Sequence, residues 1–171
     1  MIPLLRAYRQ ICLLRLGPQD LPASRFLLQL AAVAMLLSGT LMLALDLGAF
    51  IPALLGVLVD MAASALLLYL GLRLIGRERR LVQSLSAIYG TAAILQLIAI
   101  PILLVIGDDP AASPLGQVAV LLYLGLLMLS LAVLGHILRH TFDTPLWAGV
   151  MLAIFYWLLF NSLLGGLGIV S

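Results

Sequence analysis

The side chain with the clearest chemical potential in this sequence is an aspartate in the middle of an apolar run. Asp60 lies near the centre of residues 51–74. An aspartate at the centre of a membrane helix costs about 2.5–3.5 kcal/mol on insertion, so Asp60 is expected to face other helices. Ala53, Gly56 and Ser64 follow the same helical stripe as Asp60. Because small side chains let helix backbones approach closely, this stripe predicts a packing face.

Three further polar residues are expected at nearly the same depth as Asp60, namely Ser38, Gln96 and Asn161. A shared layer permits mutual hydrogen bonding, and two main interpretations remain open. In the first, the layer is a structural clasp in which Asp60 is protonated or hydrogen bonded to Gln96 or Asn161. In the second, it is a site for a proton, an ion or a solute. A third alternative is an Asp60 that faces lipid or a partner.

A metal site is a weaker alternative near residue 140. His136 and His140 are four residues apart, and Asp143 follows three residues later. On one continuous helix these three side chains would share a face, and two imidazoles with a carboxylate can hold a metal with open positions. However, Thr144 precedes Pro145, and a residue before proline avoids helical geometry. Asp143 is then expected in a turn, with both histidines near the last carbonyl groups of the helix.

A basic cluster surrounds residues 76–80 and contains Arg73, Arg77, Arg79 and Arg80. Such a cluster can bind anionic lipid headgroups or an acidic partner. It can also serve only to fix the orientation of the chain in a membrane. No G-x-S-x-G or H-E-x-x-H motif occurs in the sequence, and no cofactor motif does either. We therefore expect a protein that is not an enzyme and that has no resident cofactor.

The elements that must position these side chains are membrane helices. Of the 171 residues, 64% are hydrophobic and 9% are charged, whereas a soluble domain is about half apolar and about a quarter charged. A membrane span requires roughly 20 apolar residues. Five runs qualify, and the sequence predicts an all-α polytopic helix bundle with spans at about 26–45, 51–74, 85–107, 115–138 and 146–169. Because the gaps are short, we expect consecutive helices to be antiparallel neighbours.

The chain divides into two parts, residues 1–22 and residues 23–171. The second part is the five-helix transmembrane domain. The first part is an apolar segment interrupted by arginines and too short to span, followed by a proline-rich turn. It predicts an interfacial amphipathic helix on the inner leaflet, and the alternative is a cytosolic helix that packs on the protein. Its apolar face is expected to contain Leu4, Leu5, Tyr8, Ile11 and Cys12.

The positive charges alternate along the chain. All nine basic residues are arginines, and they precede the first span or fall between the second and third or the fourth and fifth. The other gaps hold only acids, Asp46 and then Asp108 and Asp109. Since positive residues near spans stay in the cytoplasm, this pattern predicts a cytoplasmic N terminus and an outer C terminus. Arginine without lysine is typical of a GC-rich bacterial genome, so we expect a bacterial inner (plasma) membrane.

Five close spans with this orientation resemble the Yip1 domain family of membrane proteins. The similarity includes the basic turn Gly76–Arg80, the small-residue stretch Ser84–Gly90 and the Ile100–Pro101 step. The Asp-Leu-Tyr-Gly motif that eukaryotic members carry before the first span does not occur there. The segment most similar to this motif is Asp143–Trp147, which precedes the fifth span. The resemblance implies a five-span fold and a protein without enzymatic activity.

The function expected from these observations is that of a non-enzymatic integral inner-membrane protein. It would act through helix–helix or lipid contacts, as an accessory or scaffold subunit of a membrane assembly. Its expected partners are membrane lipids, anionic on the cytoplasmic side, and another membrane protein or a second copy of the chain, but no nucleic acid. One alternative is a small transporter or proton-coupled channel using Asp60. A second alternative is a membrane metalloenzyme at His136 and His140.

Overall fold

The computed structural model describes residues 2–107, 110 and 113–168, and the all-α fold class is confirmed in this part of the chain. Two short 3-10 turns, Pro18–Asp20 and Glu78–Arg80, connect longer helices. Asp108 and Asp109 of the predicted acidic gap lie outside the described residues. The six helices are α1 (Ile2–Cys12), α2 (Arg25–Leu47), α3 (Phe50–Leu74), α4 (Leu81–Ile106), α5 (Pro114–Phe142) and α6 (Leu146–Gly166).

The helices α2 to α6 are the five predicted spans. Each is long and apolar enough to cross a membrane, as in a multi-pass membrane protein. The predicted bounds differ most at the start of α4, which begins at Leu81, and at the end of α5, which continues to Phe142. Both differences fall at polar, arginine-flanked ends, because a helix can continue beyond the apolar run that hydropathy detects.

The order of the helices in space differs from their order in the chain. Helix α2 packs between α3 and α4, α4 also packs against α5, and α5 packs against α6. The backbones of consecutive α3 and α4 approach at few positions and the two helices meet mainly through side chains, so the expected neighbour relation is looser for this pair than for α2 with α3 or α5 with α6. The three helices come close at Gly39 of α2, where an added Cβ would be 3.1 Å from Gln96 Nε2 of α4 and 3.2 Å from Val57 Cγ2 of α3. The missing side chain leaves room there for side chains of both α3 and α4.

One end of the bundle contains the arginines. The last turns of α3 and α5, the first turns of α2 and α4, and α1 meet there through side-chain contacts. We call this region the arginine end. Gly76, at φ +67° after α3, reverses the chain so that α4 starts at the same end. A left-handed conformation of this kind favours glycine because it has no Cβ.

Helix α1 lies at the arginine end with its apolar face on the bundle. Tyr8, Ile11 and Cys12 are buried against α4 and α5, as the predicted apolar face requires. The Tyr8 hydroxyl donates to the carbonyl oxygen of Ser86 at 3.1 Å, and burial raises the pKa of Tyr8 to about 12. This face contacts protein, as in the packing alternative. Leu5 was expected on the same face but is exposed, as is Leu13, and both side chains can still meet a membrane surface.

Candidate functional site

Asp60 is paired with a tyrosine of α6. Tyr156 donates its hydroxyl proton to Asp60, with both the carboxyl oxygen Oδ1 and the backbone carbonyl oxygen in reach, the latter at 3.0 Å. Both residues are half-buried, at the middle of their helices. The expected partners were Gln96 and Asn161, and neither contacts the carboxyl group. The Asp60 side chain therefore links α3 to α6.

A second group of hydrogen bonds links α3 to α4 one turn away. The Tyr89 hydroxyl donates to the carbonyl oxygen of Met61 at 2.8 Å. Ser64 Oγ donates to the same carbonyl at 3.0 Å and lies 3.5 Å from the Tyr89 hydroxyl. Since a buried tyrosine hydroxyl requires a partner, these bonds hold the two helices at a fixed register.

The other predicted members of the polar layer do not contact Asp60, and only two of them contact each other. Ser38 Oγ of α2 lies 2.7 Å from Gln96 Oε1 of α4, and this bond confirms that Ser38 and Gln96 share a depth. Asn161 is exposed and donates to the carbonyl oxygen of Trp157 on its own helix at 2.8 Å. The layer is thus two interhelical pairs, Ser38–Gln96 and Asp60–Tyr156, without Asn161. Sequence reasoning overlooked Tyr156, although a hydroxyl at mid-span was a usable signal.

The candidate metal ligands do not assemble. Within the described part of the chain, no group of three or more His, Cys, Asp or Glu side chains is placed to hold a metal ion. His136 Nε2 donates to the carbonyl oxygen of Leu16 at 3.0 Å, and its ring meets His140 edge-on at 4.6 Å between centroids. Asp143 ends α5 in the left-handed conformation, with φ 53°, and turns towards arginines. The turn position, expected as the alternative, is the one observed.

Two of the four clustered arginines are bound to the protein itself. Arg80 Nη1 lies 3.1 Å from Asp143 Oδ1 and donates to the carbonyl oxygens of His140 and Thr141 at 3.1 and 3.3 Å. Arg77 contacts the other carboxyl oxygen of Asp143. The hydrogen bond from Arg80 holds the pKa of Asp143 below its usual range. These contacts fasten the turn before α4 to the end of α5, where a cation is favoured by the helix dipole.

The other two arginines face outwards. Arg73 is exposed, with Nη1 3.3 Å from the Tyr69 hydroxyl and its guanidinium 6.0 Å from the centre of the Tyr69 ring. Arg79 is exposed in the turn Glu78–Arg80, next to exposed Glu78. The predicted cluster for anionic lipid or a partner therefore divides into an internal pair, Arg77 and Arg80, and an outward pair, Arg73 and Arg79.

A polar cavity of about 250 Å³ opens at the arginine end beside the internal pair. Its floor is the bond between Ser84 Oγ and Thr141 Oγ1, at 2.9 Å. Gln83 fixes one wall by donating from Nε2 to the carbonyl oxygen of Leu21 at 2.8 Å. We call it the arginine-end cavity, and its lining comprises Pro18, Gln19, Arg80, Gln83, Ser84, His140, Thr141 and Asp143.

Comparison with known proteins adds no family to this description. No protein-family model, curated protein or solved structure matches the chain. The resemblance to the Yip1 domain family therefore stays a prediction from topology and sequence motifs.

Proposed function

We propose that this chain is a non-enzymatic protein of a bacterial inner membrane that acts through helix–helix or lipid contacts. The single observation that carries the proposal is the pairing of polar side chains inside the membrane. Ser38 bonds to Gln96, and Asp60 bonds to Tyr156, each across a helix pair. Interhelical hydrogen bonds of this kind stabilise a membrane bundle. A polar layer that stabilises the bundle in this way supports the proposal that the chain is a scaffold or accessory subunit of a membrane assembly.

The proposed orientation has the arginine end in the cytoplasm. Positive residues near spans are retained on that side, which would leave the end of α6 outside. Arg73 and Arg79 are exposed there, as are Arg6, Arg9 and Arg25 on α1 and α2. Anionic headgroups of the inner leaflet are the partners that match this charge.

The proposal is tested by isolating the protein from its native membranes in mild detergent. We expect a stoichiometric protein partner, a homo-oligomer or tightly retained lipid to accompany it. The mass of the intact complex and lipid extraction of the purified sample measure these outcomes directly. Recovery of a lipid-free monomer with no partner, from several detergents, would contradict the proposal.

A second candidate function, a proton-coupled transporter or channel, is favoured by Asp60 alone. Its carboxyl group lies at mid-span, and intramembrane carboxyl groups often mark ion or proton pathways. This candidate requires that Asp60→Asn abolish an ion-dependent activity while assembly stays unchanged. The scaffold proposal requires that the same variant change only stability.

A further inference from the structure

We propose that the arginine-end cavity binds a phosphate group, with a phospholipid headgroup of the adjoining leaflet as its source in the membrane. The inference deepens the lipid contact of the proposed function and rests on it. It assigns that contact to one cavity with fixed walls, beside Arg80 and His140. The exposed arginines would then attract anionic lipid in general, while the cavity would hold an individual headgroup.

The position of the cavity along the membrane normal suits a headgroup. Helix α5 has 29 residues, which at 1.5 Å per residue is about 43 Å. A hydrocarbon core is about 30 Å thick, and the headgroup regions extend it to about 40–45 Å. His140 and Thr141 belong to the last turn of α5, and Gln83 and Ser84 to the first turn of α4. The cavity walls therefore lie at the level of lipid phosphates.

The guanidinium of Arg80 is held in place before any ligand arrives. One of its nitrogens, Nη1, makes all three observed contacts, with the carboxyl group of Asp143 and the carbonyl oxygens of His140 and Thr141. Its planar fork carries five N–H donors, so donors remain for a ligand. Arginine favours phosphate because two of its N–H groups can bond to two phosphate oxygens at once.

The charges near the cavity favour an anion. Arg77 and Arg80 share a single carboxylate, that of Asp143, so the triad carries one excess positive charge. The opposing charge is Asp20, which interacts electrostatically with His140 but accepts a hydrogen bond from the backbone N–H of Gly17 at 2.8 Å. The nine arginines of this end outnumber its three acids, Asp20, Glu78 and Asp143. Such an excess raises the local concentration of anions.

The size of the cavity limits what can enter. Its volume of about 250 Å³ corresponds to roughly eight water molecules at about 30 Å³ each. A phosphate with a few attached atoms fits this space. The chains of a bound lipid would remain beside the apolar surfaces of the spans. The amides of Gln19 and Gln83, which line the cavity, can add hydrogen bonds to the phosphate oxygens.

The test measures binding to the purified full-length chain in mild detergent. The probes are inorganic phosphate, phosphatidylglycerol and diacylglycerol, the last having the same acyl chains without phosphate. The rise of the unfolding temperature with probe concentration gives each Kd. We expect both phosphate-containing probes to bind more tightly than diacylglycerol. A preference for the lipid over free phosphate identifies the headgroup as the source, and equal binding identifies the phosphate anion itself.

Two variants with matched controls locate the site. Arg80→Gln should weaken the binding of both phosphate probes at least tenfold, whereas Arg79→Gln, with the same loss of charge outside the cavity, should change it less than twofold. Gln19→Glu places a negative charge at the cavity on an exposed turn, so it should fold normally and weaken binding several-fold. Its control is Gln10→Glu on α1, outside the lining, which should bind as the wild type does.

The outcomes separate this inference from the proposed function. Wild-type affinity in both Arg80→Gln and Gln19→Glu would overturn the cavity as the site, even if anionic lipid still accompanies the protein from native membranes. Failure of both phosphate probes to bind more tightly than diacylglycerol would also overturn it. Loss of native lipid and partner from the wild type, by contrast, would contradict the proposed function itself. If Arg80→Gln does not fold, Gln19→Glu decides alone.

Discussion

A carboxyl group in the middle of a membrane helix needs a hydrogen-bond partner, and Tyr156 is that partner for Asp60. The bond also matters for the packing of the bundle, because α3 and α6 have few other contacts with each other. It joins the two outermost members of the packed series α3, α2, α4, α5 and α6. We therefore propose a structural role for Asp60, one that does not require an ion or a substrate.

Removing the Tyr156 hydroxyl should reveal this role. Tyr156→Phe leaves the Asp60 carboxyl group without its donor, and we expect a loss of about 1–2 kcal/mol of stability, the scale of interhelical hydrogen bonds in membranes. SDS titration of the detergent-solubilised protein measures the change. Tyr69→Phe is the control, because Tyr69 is an exposed tyrosine that only contacts Arg73. Equal stability of the two variants would show that the Asp60–Tyr156 bond contributes nothing.

The contact of Asp143 with Arg77 and Arg80 gives a defined pH dependence. Arg80 lowers the pKa of Asp143, so the contact stabilises the fold above the unfolded value of about 3.9 and is lost as the pH falls through the lower folded value. Asp143→Asn preserves the left-handed turn, because asparagine tolerates it, but removes the charge. We expect the stability difference between wild type and variant to persist from pH 7 to about 5 and to shrink below about 4.

Stability measured at closely spaced pH values, in low and high salt, checks this prediction. The difference should also be smaller at high salt, because the Asp143 side chain is 49% exposed and its charge is screened. A difference that grows on acidification would contradict the assigned direction of the pKa change.

At the scale of elements, α5 and α6 meet at a glycine crossing. An added Cβ at Gly149 would overlap the carbonyl oxygen of Gly135 and lie 2.9 Å from the backbone nitrogen of Arg139. Gly149→Ala should therefore push the helices apart and cost about 1–3 kcal/mol, as overpacking does. Gly165→Ala, on the same helix with nothing within 4 Å, should be neutral or slightly stabilising. SDS titration compares them, and indistinguishable midpoints would rule out a tight crossing.

The docking of α1 depends on Gly90 of α4. An added Cβ there would occupy the position of the Tyr8 ring, so Gly90→Ala should displace α1 and expose Cys12. Cys12 is the only cysteine of the chain and is buried, which makes thiol labelling specific for this movement. We expect about tenfold faster reaction with a maleimide in detergent, corresponding to a cost of about 1–3 kcal/mol.

Two further variants allow the labelling rate of Cys12 to be interpreted. Tyr8→Phe removes only the hydrogen bond to Ser86 and should accelerate labelling less than Gly90→Ala does. Gly125→Ala adds a methyl group where nothing lies within 4 Å and should leave the rate unchanged. An unchanged rate in Gly90→Ala would mean that α1 does not depend on this contact.

The positions of the helices along the chain were predictable, whereas the contacts between helices were only partly predictable. The length of an apolar run is a property of consecutive residues, so the spans followed from hydropathy to within a few positions. The similar depth of Ser38 and Gln96 was also predictable, although the sequence did not indicate that these two residues bond to each other. The partner of Asp60 did not, because α6 is apolar on nearly every face and its sequence does not indicate which side meets α3. The place of α2 between α3 and α4 also could not be predicted from the spacing of residues along the chain.

In the whole molecule, charge differs more between the two ends of the bundle than between its lateral faces. The described arginines gather at one end, together with α1 and the polar cavity. The spans present mainly apolar side chains outwards, and α5 and α6 in particular have few fully buried residues. A molecule of this kind meets lipid along its sides and offers charged contacts only at its ends. This asymmetry is why we assign its activity to contacts and not to a reaction.

Proton flux through reconstituted vesicles tests the central claim, that the polar layer holds helices together and conducts nothing. Wild type and Asp60→Asn are reconstituted at equal density, and the decay of an imposed pH gradient is followed with a trapped dye. We predict that both decay at the rate of protein-free vesicles, while SDS titration shows a modest stability change in Asp60→Asn. Wild-type flux clearly above that of empty vesicles, abolished by Asp60→Asn in a folded protein, would contradict the account.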